Sequence, residues 1–167
     1  SLIIYAAVKK LGGRLIVTNG DQTDTIYEHI SSGGNFISAL STREFEPDRP
    51  NFTPRISGIL NFRQEDFTYD MSILKSVDGE GSGCARYFFS YPSIAGLGHF
   101  IHTYVCDGDP IPTFQGEPER VKTEDDMEIF ASSLWEALDP DNRISLFVRY
   151  TDLETGEEED KIINKNV

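Results

Sequence analysis

LIVTNGDQTDTIYEHI, residues 15–30, decides how the chain starts to fold. Leu15, Ile16 and Val17 stand in a row, as in a buried strand. Polar and turn-forming residues then fill positions 18 to 24. Asn19-Gly20 is a pair that accepts positive φ and turns the backbone sharply at a strand end. Ile26, Tyr27 and Ile30 follow at helical spacing. The stretch therefore predicts strand, turn and helix in close succession. At that junction Asp21, Thr23 and Asp24 offer acceptors and hydroxyls beside the unpaired N–H groups of a helix start. Two readings are open: a turn with a helix cap, or a strand end that presents polar groups to a ligand.

Working outward, LIIYAAVK (2–9) reads as a strand, and Leu11-Gly12-Gly13 joins it to a partner at Arg14–Thr18. The run Leu2–Val8 hardly alternates, which predicts a hairpin buried on both faces. The helical pattern over 26–40 is broken at Gly33-Gly34, giving two short helices or one interrupted helix. FEPDRPNFTPR (45–55) holds three prolines and reads as a stiff loop. Strands are expected at 56–62, 71–77, 86–91 and 99–105, with DGEGSG (78–83) as a turn. Thr123 is the expected N-cap of the clearest helix, whose apolar face is Met127, Phe130, Ala131, Leu134, Ala137 and Leu138. ISLFVRY, the turn LETG and EEEDKIINK form a terminal hairpin with a charged edge. The reading is a single α+β domain over 1–167, rich in strands.

Acidic residues outnumber basic ones 28 to 15, a net charge of -13. That argues against a nucleic acid or an anionic membrane as partner. It leaves room for a small phosphorylated ligand, which needs only a few local cations or N–H groups. No apolar run approaches the ~20 residues of a membrane span. Cys84 and Cys106 have no metal spacing and read as free thiols of a cytoplasmic protein. With three His and neither HExxH nor CxxC, no metal site is expected.

Polar residues collect in three further places. Glu46, Asp48, Arg49 and Arg55 sit on the proline-stiffened loop. There Arg55 can clamp a phosphate or carboxylate bidentately, with Glu46 as acid or base; surface ion pairing is the alternative. In GHFIHTY (98–104), His102 shares a strand face with Tyr104 and could shuttle a proton, or be an ordinary strand histidine. Asp107 and Asp109 lack the spacing of a calcium loop. Ser1 heads an apolar segment, as the nucleophile of an N-terminal-nucleophile amidohydrolase would. A chain opening in mid-strand also looks like a fragment.

SLIIY, VTNGDQTDTI, FEPDRPNFTPRISGI, GLGHFIHTYVCDGDPIPTFQGEP and SLFVRYTDLETG together resemble the IMP cyclohydrolase-like proteins of archaea and some bacteria. The resemblance implies a four-layer αββα sandwich of mostly antiparallel sheets, of the N-terminal-nucleophile-hydrolase type but without that nucleophile. It implies closure of the formamido-carboxamide ribonucleotide (FAICAR) to IMP with loss of water, without a cofactor, in a symmetric homo-oligomer. Tyr5, Asn19 and Glu46 fall on active-site positions. Members carry an N-terminal segment ahead of SLIIY, so the chain is expected to lack one, and with it part of the phosphate site.

Ring closure joins two groups of one molecule, so much of the work is positioning. Proton transfer falls to Glu46 and charge stabilisation to Arg55. Asn19 would hold the base or formyl oxygen, and Tyr5 would donate a hydrogen bond. Asp21, Thr23 and His102 are further candidates for substrate binding. The alternative to an enzyme is a nucleotide-binding module that keeps the pocket without turnover.

Overall fold

The computed structural model describes residues 4–166. β1 (Val8–Leu11) and β2 (Arg14–Thr18) form the first hairpin. α1 (Gln22–Ser31) and α2 (Phe36–Leu40) follow, then β3 (Arg55–Arg63), β4 (Asp66–Ser76) and β5 (Cys84–Pro92). These strands make one antiparallel sheet in the order β1-β2-β3-β4-β5. β6 (Leu97–Phe100) pairs with β7 (Glu119–Lys122), and α3 (Met127–Ala137) precedes the hairpin of β8 (Ser145–Thr151) and β9 (Glu158–Asn164). The class is α+β with mostly antiparallel strands, as the sequence indicates. Among the described residues no helix is long and apolar enough to cross a membrane.

Register assigns the sheet two faces. Ile16 pairs with Ile59, and Arg55 with Leu74. Directly paired residues share a face, and Ile16, Ile59 and Leu74 all pack against Ile26, Phe36, Ala39 and Leu40 of the helices. The other face carries Ile56, Gly58 and Leu60 of β3 opposite Ile73, Met71 and Tyr69 of β4. A second, smaller core joins Met127 and Ala131 of α3 to Val148 of β8. The helical stretch after β2 is two helices, as one of the two sequence readings had it. Gly33, at φ +89°, ends the first. Asn35 starts the second through a capping box with Ser38.

Four expectations are corrected. Ile4–Ala7 lie outside any strand, and β1 starts only at Val8. Before Val8 the chain keeps one main-chain bond to β2, from the Thr18 N–H to the Ala7 carbonyl at 2.9 Å, and Tyr5 reaches the Asn19 carbonyl through its side chain. Burial on both faces also fails, since β1 is a sheet edge and Val17 is 39 % exposed. The strand expected over 99–105 ends at Phe100. Beyond it, Tyr104 bridges to Thr113 and the backbone is irregular. The N-cap of α3 is Asp126, whose side chain accepts from the Ile129 N–H at 2.9 Å. Thr123 is held instead by its N–H to the Gly96 carbonyl, beside β6. Ser1 falls outside the described residues.

The helix-side core sets the stability of the sheet. Leu40 is wholly buried there. Leu40→Ala should cost about 2–5 kcal/mol in a urea titration. A loss below about 1 kcal/mol would mean that α2 does not close the core as described.

Candidate active site

β2 ends at Thr18, paired with Ser57, so the next residue lies beside the start of β3. That residue is Asn19. Its Oδ1 accepts from the Ile56 N–H at 2.9 Å and from Gln22 Nε2 at 3.0 Å. Its Nδ2 donates to the Pro54 carbonyl at 3.0 Å. The Ile56 N–H can only donate, which fixes which amide atom is oxygen. One Nδ2–H is left over from this pinning. Tyr5 donates its hydroxyl to the Asn19 carbonyl at 2.8 Å, so the resemblance-implied pair meets here.

Below the turn, Thr18 and Thr23 share a hydroxyl contact of 2.6 Å, and both hydroxyls reach the Gly20 carbonyl. Thr23 is wholly buried and faces inward. It builds the turn and is not presented to a ligand. The opening question thus has a mixed answer: Thr23 serves the turn, and Asn19 holds the strand end.

Arg55, 7 % exposed, brings the acids together. Its Nη1 lies 2.6 Å from Asp21 Oδ1, 2.7 Å from Glu46 Oε1 and 2.7 Å from Gln22 Oε1. Its Nε is buried without a partner. Arg43 bonds the same Asp21 oxygen. That hydrogen bond, followed by the Arg55 charge, holds the Asp21 carboxyl below the usual carboxylate range against the opposing effect of burial. Gly20 makes the cluster possible. A Cβ there would stand 2.5 Å from Gln22 Oε1 and 2.7 Å from Arg55 Nη1.

The loop 45–55 holds Glu46 in place. The Glu46 N–H donates to the Thr53 carbonyl at 2.9 Å, and Asp48 accepts from the Thr53 N–H at 2.7 Å. The Thr53 hydroxyl also meets the Tyr104 hydroxyl, tying the loop to the segment after β6. His102 is not part of the cluster. Its Nδ1 contacts the Tyr104 carbonyl at 2.5 Å and its Nε2 contacts Glu119 at 3.2 Å.

On the far side of the strand end lies an open cleft of about 350 Å³, lined by Asn19, Ile56, Ser57, Met71, His99 and Phe100 among others. Arg55 faces the helix side, so Asn19 stands between the ion cluster and the cleft. Among the described residues no cluster of three or more His, Cys, Asp or Glu could hold a metal ion. Sequence reasoning missed Gln22 and Arg43, and of the two histidines in GHFIHTY it chose His102 over His99. Gln22 had a signal, lying inside the polar stretch that follows β2.

The class is now defined: an α+β protein with a mostly apolar cleft at the ends of adjacent antiparallel strands, backed by a buried ion cluster. Residues 1–157 match the family model described as IMP cyclohydrolase-like protein, and the chain belongs to that family. No curated protein matches it.

Two outcomes follow from this geometry. Asn19→Ala leaves the Ile56 N–H and the Gln22 amide without their acceptor, so it should destabilise the fold by about 1–3 kcal/mol. Equilibrium urea unfolding measures this, and an unchanged midpoint would mean that the clamp carries no weight. The folded pKa of Asp21 lies below its ordinary value of 3.8. Its ionised form therefore adds stability that is complete above that value and is lost as pH falls through the lowered one. Asp21→Asn should flatten the acid limb of stability relative to the parent protein, as followed by thermal melts between pH 6 and pH 3. Parallel limbs would show that Asp21 makes no such contribution.

Proposed function

We propose that the protein is a cyclohydrolase that closes FAICAR to IMP, with Glu46 as its proton-transfer group. The observation that carries this reading is Glu46 held 2.7 Å from the buried Arg55 at a strand end that Asn19 clamps. The family match supplies the reaction.

The carboxamide nitrogen adds to the formyl carbon. A C–N bond forms as the carbonyl π pair moves onto oxygen. Glu46 takes a proton from the attacking nitrogen, and the oxyanion takes one from solvent. The Glu46 proton then leaves with the hydroxyl as the C–O bond breaks. The formamido N–H gives its proton to solvent as the C=N bond forms, so the net loss is one water. Each step is acid–base chemistry and needs no redox partner. The two reacting groups share one molecule, so a preorganised cleft supplies much of the acceleration. In this reading Asn19 offers its remaining Nδ2–H to the base, Tyr5 fixes the strand end, and Arg55 orients Glu46 and contributes positive charge.

The four-layer αββα sandwich belongs to the same proposal. The large sheet carries α1 and α2 on one face and apolar side chains on the other, where Tyr87 is 45 % exposed. The β8–β9 hairpin carries α3 on one face and exposes the Phe147–Ile162 pair on the other. Each unit is a helix layer on a sheet layer with an apolar face left over, which is what a sandwich of two such halves needs. A cytoplasmic homo-oligomer with free Cys84 and Cys106 completes the reading.

The test is IMP formation from FAICAR, followed by absorbance, with the full-length gene product. Glu46→Gln should lower kcat by about 10²–10⁴-fold while IMP binding stays within a few-fold. Wild-type protein that binds IMP without turnover would replace the enzyme by a nucleotide-binding module.

A further inference from the structure

His99 lines the same cleft as Asn19, yet the family resemblance gave it no role. Two aromatic residues of the large sheet immobilise its ring. Tyr91 stacks on it with centroids 3.6 Å apart and planes 15° from parallel. The Tyr69 hydroxyl lies 2.5 Å from Nδ1. The ring is thus fixed in place and in rotation, and Nε2 is its remaining polar atom. A flexible surface histidine has neither constraint. This is the arrangement of an active-site imidazole: one nitrogen occupied by an orienting group, the other left for a ligand.

The tautomer is set by the direction of the hydrogen bond between the Tyr69 hydroxyl and Nδ1. Burial, followed by the neighbouring Tyr91, pushes the Tyr69 hydroxyl above its ordinary range, so it keeps its proton. A protonated phenol can donate to Nδ1. The proton of the neutral imidazole then sits on Nε2, as a donor.

We propose that His99 is a catalytic residue of this cleft, donating its Nε2–H to the formyl oxygen as negative charge gathers there during ring closure. The inference rests on the cyclohydrolase reading above. The contact is a hydrogen bond that strengthens in the transition state, with no proton passing to the substrate. It should therefore act on kcat more than on KM. Tyr69 is a positioning residue that acts through the imidazole.

Steady-state kinetics with FAICAR test this. His99→Phe keeps a ring to stack on Tyr91 and removes the donor. It should lower kcat by about 10²–10³-fold with KM within about threefold. Tyr69→Phe keeps the packing and frees the tautomer, and should lower kcat about three- to tenfold at unchanged KM. If His99→Phe does not fold, the Tyr69→Phe result decides alone. A kcat within twofold of wild type in the folded variants overturns the role of His99 and leaves the cyclohydrolase reading intact. A rise in KM at constant kcat also overturns it, because the contact would then be uniform binding. Wild-type protein without turnover overturns both.

Discussion

One side-chain amide holds this strand end together. Asn19 uses its oxygen on the Ile56 N–H and on Gln22, and its nitrogen on the Pro54 carbonyl. Those bonds replace the ladder at the point where β2 leaves the sheet and β3 enters it. A buried donor without a partner costs about 1–3 kcal/mol, so the clamp decides where the turn can form. The turn in turn sets the first residue of α1, and through it Gln22. Gln22 is wholly buried, and its other end accepts from Arg55. Helix start, strand start and guanidinium are therefore one hydrogen-bonded unit. Among the described residues, only the Arg55 Nε is left without a partner in that unit.

The alternation of β3 then separates the two kinds of chemistry. Arg55 points to the helices and Ile56 to the cleft. The acids and guanidiniums are kept on the side where α1 and the loop 45–55 close over them. The cleft side is mostly apolar, with Asn19 and His99 as its polar side chains. A pocket of that composition suits a purine, whose faces are apolar and whose edges are not. Gly20 is the hinge between the two sides, because only a residue without Cβ lets Gln22 and Arg55 come so close.

Much of this was legible from the order of residues in LIVTNGDQTDTI. The apolar triplet, the Asn-Gly turn and the helical spacing after it are local signals, and they gave β2, the turn and α1. Leu40 fits the same periodicity and does lie in the core, whereas Ile37, which fits it as well, is exposed, and its neighbour Phe36 is buried in its place. What failed was non-local. Nothing in LIIYAAV says that β1 begins only at Val8, or that Tyr5 meets the Asn19 carbonyl through its side chain, a contact fourteen residues apart in the chain. Thr123 has the chemistry of an N-cap, but its backbone is taken by Gly96 and the cap passes to Asp126. At the site, Asn19, Glu46 and Arg55 were visible as polar residues on stiff segments. His99 and His102 were equally visible, and local sequence could not choose between them. The choice depends on Tyr69, thirty residues away in the chain, and on Tyr91 of the preceding strand, which only the folded sheet brings against the ring.

The charge balance of the ion cluster narrows the role of Arg55. Asp21 and Glu46 both lie against its Nη1, and Arg43 supplies a second guanidinium to Asp21. Two cations and two anions cancel, in a protein whose net charge is already -13. A cluster that captures a phosphate should instead carry uncompensated positive charge. What this one does well is hold carboxylates still: the buried guanidinium donates from Nη1 to Asp21 and Gln22 at 2.6 and 2.7 Å, and Glu46 forms an ion pair with the same nitrogen at 2.7 Å. The geometry therefore favours Arg55 as the residue that aims Glu46 over Arg55 as a phosphate clamp. On the proposed reading, substrate phosphate needs donors other than this Nη1; Asp21, bonded by both guanidiniums, is the more fully committed carboxylate, and Glu46 is the one left for proton transfer.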